Sequence, residues 1–310
     1  MKGASFKVIH RLAVFNAAAT VLLLVAGGLV TSKGAGLAVP DWPTTFGYNP
    51  FLYPWSLMVG NIFYEHSHRL IASAIGLTTV VLGVALYLKE PRAWVRGLGA
   101  AAVALVVAQG VVGGLRVVLL EQTLAILHAC LAQAFFGLAV ALALFTSDGW
   151  REAPGKEEIP GTARLQRLAL VTTALIYCQI VFGAFLRHSG EFLWLHLFFA
   201  AAVTLHVIFL IRHVLMKQGG RPELARPVVY LTALLLFQLS LGFGAYVAKF
   251  VVALPAPAAV ALRTGHVVVG ALMLAASLVL TLRLFKFFAP ALTGGAAAIA
   301  LSERRSGVSA

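Results

Sequence analysis

Four histidines, His68, His128, His196 and His266, each lie near the start of a different long apolar segment, at one predicted depth. An imidazole in a low-dielectric interior gives up its bonds to water and is costly to leave unpaired. Neutral imidazole is also a ready ligand for transition metals. Four at one depth therefore predict two metal centres, each held by a pair of histidines. A lone histidine in such a segment reads more simply as a hydrogen-bonded core residue, and the repetition is what favours ligation.

One carboxylate accompanies one of these histidines. Glu65 precedes His68 by three residues, about one helical turn, in the run Glu65-His66-Ser67-His68-Arg69. A charge at that depth costs about 2.5–3.5 kcal/mol on insertion scales, so it is a candidate for chemistry. A positioned glutamate can take protons or orient a water beside a reacting carbon. Arg69 can pair with a carboxylate of a bound group, or simply with Glu65 as a helical salt bridge. Aligning His196 on His68 sets Leu193 against Glu65 and Leu197 against Arg69, so the second half keeps its imidazoles and drops both charges. Chemistry is expected in the first half and electron passage in the second.

The segments that must position these groups are read from hydropathy. The chain has 310 residues, 60% hydrophobic and only 11% charged, with a mean hydropathy of +0.92. Such a composition excludes a water-soluble domain. Eight runs are long enough to cross a bilayer: 12–31, 66–88, 97–117, 124–146, 167–187, 193–215, 228–250 and 262–284. Backbone in lipid must bond within its own segment, which predicts an all-α polytopic membrane protein with eight transmembrane helices. The first run follows Lys2, Lys7 and Arg11 but lacks a cleavage-like site, and reads as a retained helix. With the N- and C-termini cytoplasmic, 18 of the 24 Lys and Arg fall inside, and six fall outside: Lys33, Arg69, Arg116, Arg187, Lys249 and Arg263. This bias orients the chain with the four histidines toward the outer face of the membrane. The net charge of +13 then reports topology and contact with anionic lipid, not nucleic acid. Cys130 and Cys178 form no C-x-x-C motif and read as small buried hydrophobes.

Residues Ser147 to Arg167, rich in Pro, Gly and charge, divide two related four-helix bundles, 1–150 and 151–310, the latter ending in a flexible tail, 293–310. Gln109-x-x-x-Gly113, Gln179-x-x-x-Gly183 and Gln238-x-x-x-Gly242 recur toward the outer ends of three segments, and the first segment has Gly27-Gly28 without the glutamine. Glycine-rich ends are also ordinary packing devices. In a duplicated bundle, His68 and His128 face each other, as do His196 and His266, and bis-histidine ligation of haem suits such pairs. Glycines beside them leave room for a flat macrocycle. His10 and His213 fall at cytoplasmic ends, His206 on a different face from His196, and His188 at the outer end of the fifth segment, within reach of a propionate or a loop. His66 is the nearest rival to His68 as a ligand. The longest outer loop, Thr31 to Ile62, carries Trp42, Phe46, Tyr48, Phe51, Tyr53 and Trp55, either as a cap on the site or as an interfacial belt.

These residues resemble the haem A synthases of bacteria and mitochondria. The likeness rests on E-x-x-H-R (Glu65, His68, Arg69), on His128, His196 and His266 as single histidines, and on the loop G-x-G-L-A-x-P-D-W-P from Gly34 to Pro43. It implies oxidation of a methyl substituent of haem O to the formyl of haem A, with the oxygen taken from water and Glu65 as the catalytic carboxylate. It also implies substrate haem between His68 and His128, a haem b with its iron between His196 and His266, and Arg69 orienting a propionate. Partners implied are a haem O synthase, a terminal oxidase and an electron acceptor of unknown identity. Many bacterial members carry a loop cysteine pair where Val39 and Thr45 stand here, so no thiol relay is open to this chain. Rival readings are a b-type dihaem electron-transfer protein, a haem carrier or oxidase-assembly factor, and a non-haem transporter.

Overall fold

A computed structural model describes residues 2–153, 155–218 and 220–290; the expected tail, 293–310, lies outside them. The chain runs through α1 (Lys2–Ser32), α2 (Gly60–Lys89), α3 (Ala93–Leu119), α4 (Gln122–Thr146), α5 (Asp148–Arg151), β1 (Glu157–Ile159), α6 (Thr162–His188), α7 (Leu193–Gln218), α8 (Pro222–Phe250), α9 (Ala256–Phe287) and β2 (Phe288–Pro290). Among the described residues, eight helices, all but α5, are long and apolar enough to cross a bilayer. Most begin earlier than their predicted spans: α2 at 60 rather than 66, α8 at 222 rather than 228. Hydropathy marks only the stretch suited to hydrocarbon, whereas the i→i−4 ladder continues into the polar boundary. Glu65 thereby lies inside α2, one turn before His68.

Helices α1 to α4 pack in a ring, each on its neighbour and α1 on α4, and α6 to α9 repeat the ring with α6 closing on α9. The rings meet through α1, α4, α6 and α9. Half of the apolar window is buried in α4 and in α9, against 17–33% in the other spans, which places these two at the centre. Leu24, Phe136 and Ala271 form the small core at the seam, flanked by one core within each ring. Some interior polar groups bond across helices: Asn16 Nδ2 donates to Thr79 Oγ1 (2.9 Å), and Thr173 Oγ1 meets Ser277 Oγ (2.7 Å) and Thr281 Oγ1 (2.9 Å). Two features were not expected from sequence. The linker forms α5, and its strand β1 pairs in parallel with β2, Glu157 opposite Phe288, fastening the linker to the end of α9. The sixth helical element also starts at Thr162, inside the expected linker, where the Thr162 hydroxyl caps the Ile159 carbonyl (2.8 Å).

Candidate functional site

Each of the four histidines meets a glycine on the preceding helix. A Cβ on Gly27 would stand 3.1 Å from His68 Cε1, one on Gly113 3.0 Å from His128 Cε1, one on Gly183 3.0 Å from His196 Cε1 and one on Gly242 2.9 Å from His266 Cε1. Any side chain there displaces an imidazole, so the spacing of Gln and Gly noticed in sequence is a histidine cradle repeated four times. All four cradles lie at one end of the bundle, with the loop between α1 and α2. One turn further along each histidine's own helix stands a small residue: Ala72, Ala132, Ala200 and Gly270.

The cradle glutamines orient the rings. His196 Nδ1–H donates to the Gln179 backbone carbonyl (3.3 Å), while the Gln179 side-chain amide donates to Nε2 (3.3 Å). With Nδ1–H on a carbonyl the lone pair falls on Nε2, the nitrogen a metal would use, and here that lone pair accepts the Gln179 amide. Gln238 Nε2 donates likewise to His266 Nε2 (3.5 Å). The carbonyls of Gln109 and Gln238 face His128 and His266 in the same sense but outside hydrogen-bond geometry, leaving both Nδ1 atoms buried and unpaired. His68, cradled by a helix with Leu23 in the glutamine position, also has an unpaired Nδ1.

His196 and His266 face each other with ring centroids 6.1 Å apart. Two imidazoles sharing one metal sit about 6.2 Å apart, twice the sum of a bond of about 2 Å and the roughly 1.1 Å from ring centre to nitrogen. His68 and His128 lie within electrostatic reach of each other. No cluster of three or more His, Cys, Asp or Glu able to hold a metal occurs among the described residues. Two ligands per centre, rather than the three or four of a zinc site, small neighbours and buried unpaired ring nitrogens fit an iron porphyrin held on its axis by two imidazoles.

Glu65 is buried, 4% exposed, and both its oxygens are engaged. Oε2 accepts from Val39 N–H (3.0 Å) and Oε1 from Arg69 Nη2 (2.8 Å). Arg69 also donates to the carbonyls of Val39 (3.0 Å), Asp41 (2.7 Å) and Thr44 (3.1 Å). Of the two partners expected for Arg69, a propionate or Glu65, the structure shows Glu65, and the guanidinium also bonds the loop. The loop is therefore clamped over the first-half centre, with Val39 fully buried. His66, the rival ligand, turns to the loop as well: its Nδ1 meets Thr45 Oγ1 (3.1 Å) and its ring packs on Tyr53 at 5.0 Å. Of the loop aromatics, Tyr53 is buried whereas Phe51 and Trp55 are 70% and 79% exposed, so capping and belt roles fall on different side chains.

Within the loop, Asp41 accepts from the Thr44 hydroxyl and from the Phe46 and Gly47 N–H groups. Burial raises its carboxyl, but donation from Gly47, Thr44 and Phe46 outweighs this and holds it below its ordinary 3.8. A depressed carboxylate stabilises the fold fully above that ordinary value, and its contribution is lost as pH falls through the lower folded-state value. The loop should resist limited proteolysis down to about pH 4 and loosen below it, whereas Asp41→Ala should make it cleavable at neutral pH. Cleavage rates unchanged by the substitution would show that Asp41 does not order the loop.

Sequence reasoning treated Arg116 only as a topological cation. It lies three residues past Gly113, one turn along the same face, beneath the loop at Gly36, which has no room for a side chain over the guanidinium. Electrostatically it reaches Glu65, His68 and His128. His206 bonds the Ala202 carbonyl of its own helix (2.9 Å). His10 meets Thr146 Oγ1 (3.2 Å), so it is tied to α4 rather than solvated.

The fold and these centres define an eight-helix membrane protein with two paired-imidazole sites, one of them accompanied by a carboxylate. Residues 55–195 match the family model described as cytochrome oxidase assembly protein. The matched stretch contains Glu65, His68, Arg69 and His128 and stops one residue before His196. A heme A synthase of Shouchella clausii (strain KSM-K16) is 26% identical over 188 residues, 59% of this chain. The chain spans 60% of that relative's length.

Proposed function

We propose that this protein is a membrane oxidoreductase that converts the methyl group of haem O to the formyl group of haem A. The observation that carries the reading is the asymmetry of two otherwise matched centres. His68 and His128 lie beside a buried carboxylate and under a clamped loop, in the stretch that matches the family. His196 and His266 have leucines, Leu193 and Leu197, in the corresponding places.

His68 and His128 hold the substrate haem in the first half, 1–150, and His196 and His266 hold a haem b in the second. Bound iron porphyrin supplies the substrate carbon at the first centre and a one-electron redox group at the second. The conversion adds one oxygen from water and removes four protons and four electrons. Glu65 is the group placed to take protons. It is a buried base, and two of its roughly four lone-pair positions remain free beyond Val39 and Arg69. The loop clamped by Arg69 limits bulk water, and the cradle glycines keep both rings in place. The centres face the outside of a bacterial plasma membrane with both termini cytoplasmic. Haem O synthase and a terminal oxidase stand upstream and downstream, and an outside acceptor takes the electrons.

One observation favours a second reading. Both Glu65 oxygens are satisfied by the loop and Arg69, as in a purely structural clamp, and a b-type dihaem electron-transfer protein would need nothing more. Co-expression with a haem O source, followed by extraction and mass identification of haems, separates the two. Haem A or its hydroxylated precursor is the expected result. Recovery of haem O alone from folded, aerobically grown protein overturns the synthase reading.

A further inference from the structure

We propose that Arg116 and Arg263 are the anchors for the carboxylate groups of the two porphyrins, one in each half, joined across the seam by Arg187 and His188. The inference rests on the haem reading above and assigns to it residues that no sequence motif marked.

Six cations were placed at the histidine end, and the structure disposes of four. Arg69 bonds the loop and Glu65. Lys33 lies over the Tyr64 ring at 5.3 Å. Lys249 donates to the Leu186 carbonyl (3.2 Å). Arg187 donates to the carbonyls of Arg263 (3.2 Å) and Gly28 (2.8 Å) and to Ser32 Oγ (2.8 Å). Arg116 and Arg263 remain, with no hydrogen bond from either guanidinium among the described residues, and Arg263 Nε is buried without a partner. None of the ion pairs found among the described residues involves Arg116, Arg187 or Arg263. Arg116 is only partly buried; at Arg263 Nε a buried donor left unpaired is expensive, and the planar guanidinium fork at both positions suits a carboxylate.

Position points to the same ligand. Arg116 lies under the loop, within electrostatic reach of both His68 and His128, not at the lipid-facing rim. Arg263 precedes His266 by three residues, about one helical turn along the same face of α9. Arg187, from α6, grips the Arg263 carbonyl and the α1 carbonyl next to the Gly27 cradle, so it couples the two centres. His188 reaches Arg187, Arg116 and His128 electrostatically, and its carbonyl accepts from the Gln122 side chain at the start of α4. The seam carries positive charge between the two imidazole pairs, with Glu65 the acid in electrostatic reach of Arg116.

The test compares haem b with its dimethyl ester, in full-length protein reconstituted in zwitterionic lipid. His128→Ala and His266→Ala backgrounds report one centre each through the Soret band. The free acid should bind about 10- to 100-fold more tightly than the ester at both centres. Arg116→Gln should erase that preference at the first centre only and Arg263→Gln at the second only, with lysine at either position restoring part of it. Ester and acid binding alike, with normal Soret bands, overturns this proposal and leaves the haem reading standing. No Soret band with either porphyrin in any background removes both. A preference that disappears from the unsubstituted protein when anionic lipid is added assigns the arginines to lipid headgroups, and likewise overturns the proposal.

Discussion

Substituting alanine for His196 or His266 should abolish the b-type haem spectrum of the purified protein. His68→Ala and His128→Ala should leave that spectrum in place and abolish product formation. The physical basis is the separation of the two imidazole pairs into two helix rings. Each ligand stands on a helix of its own ring and packs against a glycine of that same ring, so the loss of one ligand leaves the other ring's cradle intact. Loss of either imidazole would leave a haem at that centre with one of its two protein ligands. The measurement is a reduced-minus-oxidised spectrum beside haem extraction from each variant. If His68→Ala or His128→Ala erases the b spectrum, the assignment of one centre to each half is wrong. The seam residue Arg187 then becomes the place to look, because it bonds α1 and α9 together.

The second large effect is expected at Glu65. Glu65→Gln keeps an oxygen to accept the Val39 N–H, so the loop stays attached on that side, but the amide cannot take a proton. Product formation should fall by about 10²- to 10⁴-fold, the range attributed to a positioned general base, with the Soret band preserved. Glu65→Ala should fall at least as far and should also expose the loop to protease, since it loses both clamps at once. The pair of variants separates the two readings of this carboxylate. If the glutamine variant keeps activity within about threefold and only the alanine variant fails, Glu65 is a clamp and some other group moves protons. A pH–activity profile adds a check that a structural clamp would not move: the acidic limb seen in the unsubstituted protein should be missing from whatever activity the glutamine variant retains.

Much of this arrangement could be read before any coordinates. Lipid forces every backbone donor to bond within its own segment, so eight apolar runs dictate eight helices whatever their packing. Helical geometry is rigid enough that a three-residue offset is a contact, and Glu65 is indeed paired, through Arg69 four residues on. Gly27, Gly113, Gly183 and Gly242, singled out by their spacing, each lie against a histidine, including the copy that lacks a glutamine. In each of these cases the interacting residues are either near in sequence or related by a repeat.

What stayed illegible depends on meetings between distant residues. The Glu65–Arg69 pair was within reach of helical spacing, but the other partners of Arg69, the carbonyls of Val39, Asp41 and Thr44, lie 25 to 30 positions upstream in a loop with no periodicity. His66 and His68 differ by two positions, which on a helix sends them to different surfaces. Only the position of α1 and of the loop decides that His68 meets a glycine and His66 meets Thr45. The pairing of β1 with β2 likewise joins Glu157 to Phe288, a contact no local pattern encodes.

The chain itself determined the membrane-spanning helices, the duplication, the four imidazoles and the single carboxylate among them, because hydropathy and helical period act within a segment. The tertiary structure decided which cation is spent on the loop and which guanidiniums are left for a ligand. It also decided how far apart His196 and His266 stand. Those outcomes rest on packing between helices, where a side chain's partners are chosen by the closure of the rings and not by its neighbours in sequence.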